Sequence, residues 1–245
     1  MTGRLSDVER AAAGLTTPSL LTTGIVDTHK DDGPCDLAAF KAGGGVAYIA
    51  KATEGGDFTD KAFARLMPTL KTAGLLAGAY HFGNGNDPAK QADHFLRTVA
   101  PHPEALLILD CETSKGSFGT MSYAQAAAFV ERVHAATGRW PVFYTYESLL
   151  FASMAKASPE TRATLGRCPL WIAKYGPPPK AMPASWGAWS DWALWQYSSS
   201  IDNGPADQAR YPRGVPGFAR KSQDRSCFRG DANELAVWWK TAGLP

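Results

Sequence analysis

Asp110 and Glu112 follow the apolar run Leu106-Leu-Ile-Leu, and their i, i+2 spacing places both side chains on one face of an extended strand. Two carboxylates are costly to bury on either face of a packed strand layer, so the pair is expected at an open, solvent-accessible end. Neighbouring carboxyls repel as anions, which drives one to hold a proton near neutral pH beside an ionised partner. Glycoside hydrolysis uses that division between a general acid and a charged carboxylate. The plainer alternative is a strand-end cap and a surface carboxylate, and the other strand ends decide between the two.

Acidic, aromatic and amide residues close the remaining apolar runs: Asp27, Glu54, Tyr80 with His81, Tyr144 with Tyr146, Tyr175, and Gln196 with Tyr197. Aromatic faces serve sugar rings as platforms, and carboxylates and amides bind their hydroxyls, so this mixture favours a glycan over a phosphate ligand. No GxGxxG or Walker sequence supports a nucleotide, and no cofactor is called for. His29, His94, His102 and His134 show no ligand spacing with one another or with cysteine, so no metal site is expected. His81 reads as a structural hydrogen-bonding residue. Cys111, between the two carboxylates, is expected to face the other side of the strand as a buried thiol. Trp171, Trp186, Trp189, Trp192 and Trp195 are too many to be sugar platforms together, and some must be core.

The elements that position these residues are legible in the spacing. Apolar runs begin at Gly24, Val46, Ala77, Leu106, Pro141, Leu170 and Ala193, recurring every 22 to 35 residues, with an eighth near Cys227. That rhythm is one strand plus one connection each time, and the nearly continuous apolar character suits parallel strands buried on both faces. Between them, Asp60–Met67 and Ala124–His134 carry apolar residues at helical spacing. Cap-type residues bracket each: Asp60 and Gly74 for the first, Ser122 and Gly138 for the second. Ser158-Pro159-Glu160 is a further helix start, and a closing helix is expected over 233–240. Beyond Lys174 the rhythm degrades. The fold expected is an irregular, TIM-like α/β barrel of eight parallel strands, with its site at the strands' carboxyl ends.

A chain of 245 residues suits one such domain, here 22–245 after an Ala-rich lead-in over 1–21. With 25 Lys+Arg against 23 Asp+Glu, the net charge of +2 argues against a nucleic-acid partner. Cys35, Cys111, Cys168 and Cys227 form no CxxC pair and read as reduced thiols. No run approaches the roughly 20 apolar residues of a transmembrane helix, and Asp7, Glu9 and Arg10 stand where a signal peptide has its apolar segment. A monomer made in the cytoplasm is expected.

The order Asp27, Lys51-Ala-Thr-Glu-Gly, Gly78-Ala-Tyr-His-Phe, Leu109-Asp-Cys-Glu, Leu170-Trp-Ile-Ala-Lys-Tyr, Leu194-Trp-Gln-Tyr-Ser and Gly230-Asp-Ala-Asn resembles the family 25 glycoside hydrolases, the Chalaropsis-type lysozymes, over about residues 22 to 240. The resemblance implies a barrel of eight strands and about five helices, of (β/α)5(β)3 type. It also implies cleavage of the β-1,4 bond between N-acetylmuramic acid and N-acetylglucosamine in bacterial peptidoglycan. By position, Glu112 resembles the general acid and Asp110 its partner carboxylate. Asp27 and Asp231 resemble further acidic residues of the groove, while Tyr80, Tyr144, Tyr175, Gln196 and Tyr197 are candidates to bind substrate. Assistance by the substrate's acetamido group is the favoured route, with direct attack by Asp110 as the alternative.

Two departures from the family pattern bear on the site. The first strand reads Gly24-Ile-Val-Asp-Thr where the family more often has Gly-Ile-Asp, which leaves Asp31 and Asp32 as competitors for the role of Asp27. The long segment 198–224 carries Arg210, Arg213, Arg220 and Lys221, read either as a solvated basic loop or as an arm for the carboxylates of the peptidoglycan stem. A wall substrate and no export signal together favour a phage endolysin, with a secretion-delivered effector as the alternative. Against catalysis stands a sugar-binding barrel, which would be expected to lack one of the two carboxylates.

Overall fold

A computed structural model describes residues 21–179, 188–201, 203–220 and 222–244. In chain order the elements are β1 (Leu21–Thr28), α1 (Leu37–Ala42), β2 (Ala47–Glu54), β3 (Phe58–Thr59), α2 (Phe63–Thr72), β4 (Leu76–Phe82), α3 (Pro88–Val99) and β5 (Leu106–Asp110). They continue with α4 (Tyr123–Thr137), β6 (Val142–Tyr146), α5 (Glu147–Met154), α6 (Pro159–Leu165), β7 (Leu170–Ala173), β8 (Leu194–Ser198), β9 (Arg225–Arg229) and α7 (Ala232–Thr241). The strand order β1-β9-β8-β7-β6-β5-β4-β2 closes through a β1–β2 pairing into an eight-stranded barrel, with β3 a two-residue extension on β2.

Strand alternation divides the core in two. Ile25, Ala47, Ile49, Leu106, Ile108, Val142, Trp171, Leu194 and Phe228 fill the barrel interior. Their sequence neighbours Val26, Tyr48, Ala50, Leu107, Leu109, Phe143, Ile172, Trp195 and Cys227 pack outward under the helices. Both faces are therefore apolar, which is why the strands read as continuous hydrophobic runs. Asp60 stands before rather than at the cap of α2, whose N-cap Ala62 has no side-chain cap and donates to Asp60, while the other helix signals behave as chemistry requires. Ser122 and Gln125 form a reciprocal capping box at the start of α4, and Gly138 ends it at φ 69°, where a glycine carries no Cβ penalty. Ser158 caps α6, with Pro159 at its first position.

The direction of the last strand departs from the expected parallel barrel. β9 runs antiparallel to both β8 and β1, pairing Leu21 with Arg229 and Val26 with Arg225. Its carboxyl end thus lies beside the amino end of β1, at the floor of the barrel. There α7 closes the floor: Leu235 and Trp239 are buried among the interior residues, and Trp239 Nε1 donates to the Ala77 carbonyl at 2.8 Å. The four cysteines are free thiols, as expected. Among the described residues no helix is long and apolar enough to cross a membrane.

Candidate active site

The parity that sends Ile108 inward sends Asp110 and Glu112 inward too, and the same rule turns Asp27, Lys51, Tyr80, Tyr144, Trp171 and Gln196 toward the axis. Together with His29, Phe82 and Asp224 they line a cleft of about 280 Å³ at the carboxyl ends of the parallel strands. Four carboxylates, Asp27, Asp110, Glu112 and Asp224, share this space with one lysine.

Electrostatics follow from that crowding. Burial first, and then the charge of Glu112, push Asp110 well above the usual carboxylate range, against the pull of Lys51. Burial also raises Glu112, again opposed by Lys51. Asp27 is raised well above its ordinary value by burial and then by Asp224, with the Gln196 hydrogen bond opposing. Burial lifts Asp224 to about 6, although the Ser200 amide donates to it at 2.7 Å. Such a cluster holds protons at pH values where isolated carboxyls have lost them, which is the condition a general acid needs. Asp110 Oδ1 is buried without a hydrogen-bond partner among the described residues. Lys51 is held by Glu54 at 2.6 Å and lies 4.9 Å above the Phe82 ring.

The opposite wall is a hydrogen-bonded relay. Tyr144 and Tyr175 both donate to Gln196 Oε1, at 2.9 and 2.8 Å, and the Gln196 amide in turn donates to Asp27. Trp171 Nε1 donates to Ser226 Oγ at 2.9 Å, which fixes its indole in an edge contact with Tyr144.

Of the residues singled out in the sequence, Asp110, Glu112, Asp27, Tyr80, Tyr144 and Gln196 meet in this cleft, and Tyr175 reaches it through Gln196. Tyr197 does not. It is one residue out of phase, faces outward between Trp195 and Tyr211, and donates to the Pro212 carbonyl. Asp231 does not either. The reversed direction of β9 carries it to the barrel floor, where it forms a capping box with Glu234 at the start of α7. The position expected for it is filled from the other end of the same strand by Asp224, whose carbonyl accepts from the Asp27 amide. The available signal was a polar residue just before the last apolar run, which matters only if that run is antiparallel.

The competitors for Asp27 are engaged elsewhere. Asp31 is exposed against Lys30, and Asp32 accepts from the His29 amide and from Arg220. Glu54 pairs with Lys51 in an adjoining pocket, and Tyr146 bonds to Thr113. His81 is buried between Thr53 and Gln91 and stacked on Phe129, with burial pushing its pKa down to about 3, so it stays neutral. Arg213 holds the Gly204 and Pro205 carbonyls and Arg220 holds Asp32 and the Asp31 carbonyl, so these arginines anchor the 198–224 segment; Lys221 and Trp186 lie outside the described residues. No cluster of metal-ligand geometry occurs among the described residues. Lys51, His29, Phe82 and Asp224 went unnoticed as site residues in the sequence.

Comparison with known proteins agrees with this geometry. The model of the family "Glycosyl hydrolases family 25" matches residues 26–204. The autolytic lysozyme of Clostridium acetobutylicum is 27% identical over 195 residues, 78% of this chain and 56% of the relative, so the match spans little more than half of that protein's length. The N,O-diacetylmuramidase of Chalaropsis sp is 29% identical over 185 residues, 69% of this chain and 84% of the relative. In fold, the crystal structure of the bacterial lysozyme from Streptomyces coelicolor superposes with a TM-score of 0.71 at 24% identity, covering 91% of this chain and 98% of that one.

Proposed function

This chain belongs to glycosyl hydrolase family 25, and from that premise we propose that it is an N-acetylmuramidase cutting the β-1,4 bond between N-acetylmuramic acid and N-acetylglucosamine in peptidoglycan. Glu112 is its general acid and Asp110 its supporting carboxylate. The observation that carries the reading is the inward pair of buried Asp110 and half-buried Glu112 at the end of β5, sharing an aromatic-walled cleft with two further carboxylates.

In this reading Glu112 passes its proton to the glycosidic oxygen as the C1–O bond breaks. The acetamido oxygen of the muramic residue attacks C1 and carries the electron deficiency as an oxazolinium ion. Asp110, lining the cleft beside Glu112, faces that ion and accepts a hydrogen bond from the acetamido N–H. Water then attacks C1 from the side the leaving group vacated, the C1–O bond to the acetamido oxygen breaks to reform the acetamide, and the water's proton passes to Glu112, which restores the acid with retained configuration. Tyr80, Tyr144 and Trp171 supply ring faces, and Asp27 and Asp224 accept sugar hydroxyls on the far wall.

Digestion of purified peptidoglycan, with mass analysis of the released fragments, tests the assignment. Fragments bearing reducing N-acetylmuramic acid are expected. Reducing N-acetylglucosamine would assign the opposite bond, and binding without fragments would make the chain a sugar-binding barrel.

A further inference from the structure

Beyond the catalytic cleft, two more pockets adjoin it through shared wall residues. His29 and Lys51 line both the cleft and a middle pocket of about 400 Å³, where Asp31, Glu54, Phe58 and Asp60 join them. His29 and Lys30 then line both the middle pocket and a distal one of about 430 Å³, between the loop after β1 and helix α2. The three pockets are thus joined in series by His29, Lys51 and Lys30, and the outer two contain neither Asp110 nor Glu112.

The distal pocket differs from the other two in charge. Its cationic wall residues are Lys30 and Arg65, beside His29, whose Nδ1 accepts from the Asp31 amide, and it has no Asp or Glu in its lining. Arg65 is exposed on α2, and among the described residues its guanidinium has no hydrogen-bond or ion-pair partner. The Lys30 ammonium shares Asp31, an exposed neighbour outside the pocket's lining, in a contact weak enough to exchange. The remaining walls include Tyr48, Leu66 and Cys35, whose thiol is neutral because burial and then Asp36 push it up to about 12. Asp36 is turned to the amides of Ala38 and Ala39 at the start of α1.

The walls are held in place. The buried Asp60 accepts from the Lys30 amide at 2.9 Å with one oxygen and from the Ala62 amide at 2.8 Å with the other, pinning the loop to the start of α2. On the loop's other side, Arg220 holds Asp32 and the Asp31 carbonyl. A preformed, half-apolar pocket with an unengaged guanidinium suits an acidic peptide, whose stems lie along the wall while a carboxylate meets the fork.

We propose that this distal pocket binds the carboxylate-bearing peptide stem carried on the lactyl group of the muramic residue, with Arg65 as its anion-binding residue and His29 at the junction with the cleft. The proposal deepens the muramidase reading and rests on it for the identity of the peptide. It makes the enzyme prefer strands that carry stems over strands stripped of them.

The test compares cleavage of stem-bearing glycan strands with strands from which an amidase has removed the peptides, using wild type and Arg65→Glu. Arg65 is exposed and outside the catalytic cleft, so the variant is expected to fold. Wild type should favour stem-bearing strands, and Arg65→Glu should lower kcat/KM on these about tenfold through KM while leaving stripped strands unchanged. Equal effects on both substrates, or none on either, overturn the site. A binding arm is independent of catalysis: the free stem peptide is titrated onto both proteins, with the His29 ring followed by NMR in both and the Arg65 side-chain NH in wild type. Saturable shifts in wild type that Arg65→Glu loses support the pocket even if the chain cuts no peptidoglycan, in which case only the muramidase reading falls. No shifts in wild type, or shifts given by a phosphate-bearing wall polymer and not by the peptide, overturn the proposal.

Discussion

The side-chain amide of Gln196 donates to both carboxylate oxygens of Asp27, at 3.0 and 3.1 Å, across 169 residues of sequence. Its carbonyl oxygen accepts from two tyrosines, which orients the amide with its NH2 toward Asp27. That geometry favours an anionic Asp27, against burial and the neighbouring carboxylates, which favour the protonated form. Gln196→Met removes the hydrogen bond while keeping the volume, so Asp27 should hold its proton to higher pH. If Asp27 works as an anion, the acid limb of the kcat/KM profile moves upward. An unmoved limb would mean that catalysis does not depend on the charge of Asp27.

Glu112→Gln should reduce turnover by about 10² to 10⁴ while leaving the fold intact, since the amide keeps the shape and loses the transferable proton. Removing one carboxylate from a crowded acidic cleft should leave the melting temperature at neutral pH equal or higher. Asp110→Asn should also lose most activity. Turnover and calorimetry on both variants check this, and near-normal turnover for Glu112→Gln would take the acid role from it.

Asp224 offers a signed pH dependence. Its folded value of about 6 lies above the ordinary 3.8, so the native state takes up its proton before the unfolded chain does. Its contribution to stability is fully present below about pH 4 and is lost as pH rises through 6. Asp224→Asn should therefore raise the melting temperature at pH 7 to 8, by about 2–4 °C for each ~1 kcal/mol relieved, and change little at pH 4. Melting curves across that range decide it. A variant less stable at neutral pH would mean that the Ser200 hydrogen bond outweighs burial.

Asp231 should behave in the opposite way. As the cap of α7 it accepts from the Glu234 amide at 2.8 Å, a role that asparagine fills about as well. Asp231→Asn should be nearly silent, whereas Asp231→Ala should cost about 0.5–2 kcal/mol of stability with turnover unchanged. A loss of turnover in the folded Asn variant would show that the floor of the barrel communicates with the cleft.

Strand number, strand positions and most helix caps are local properties, and the sequence by itself determined them. A strand interior needs a continuous apolar run, and helix ends need Ser122, Gly138, Ser158 and Pro159 where they stand. The i, i+2 rule likewise put Asp110 and Glu112 on one face without reference to any other element. The direction of the last strand was decided only by tertiary pairing. An apolar run reads the same whether it is traversed upward or downward, and the antiparallel registration of β9 against β1 and β8 exchanges its two ends. That exchange brought Asp224 to the cleft and took Asp231 to the floor. The phase at Tyr197 was local but one residue off, because Gln196 and Tyr197 cannot both face the axis. The roles of Lys51 and His29, and the pocket beside Arg65, depended on which loops closure of the barrel set side by side, and a pairwise juxtaposition between distant segments leaves no mark in either segment alone.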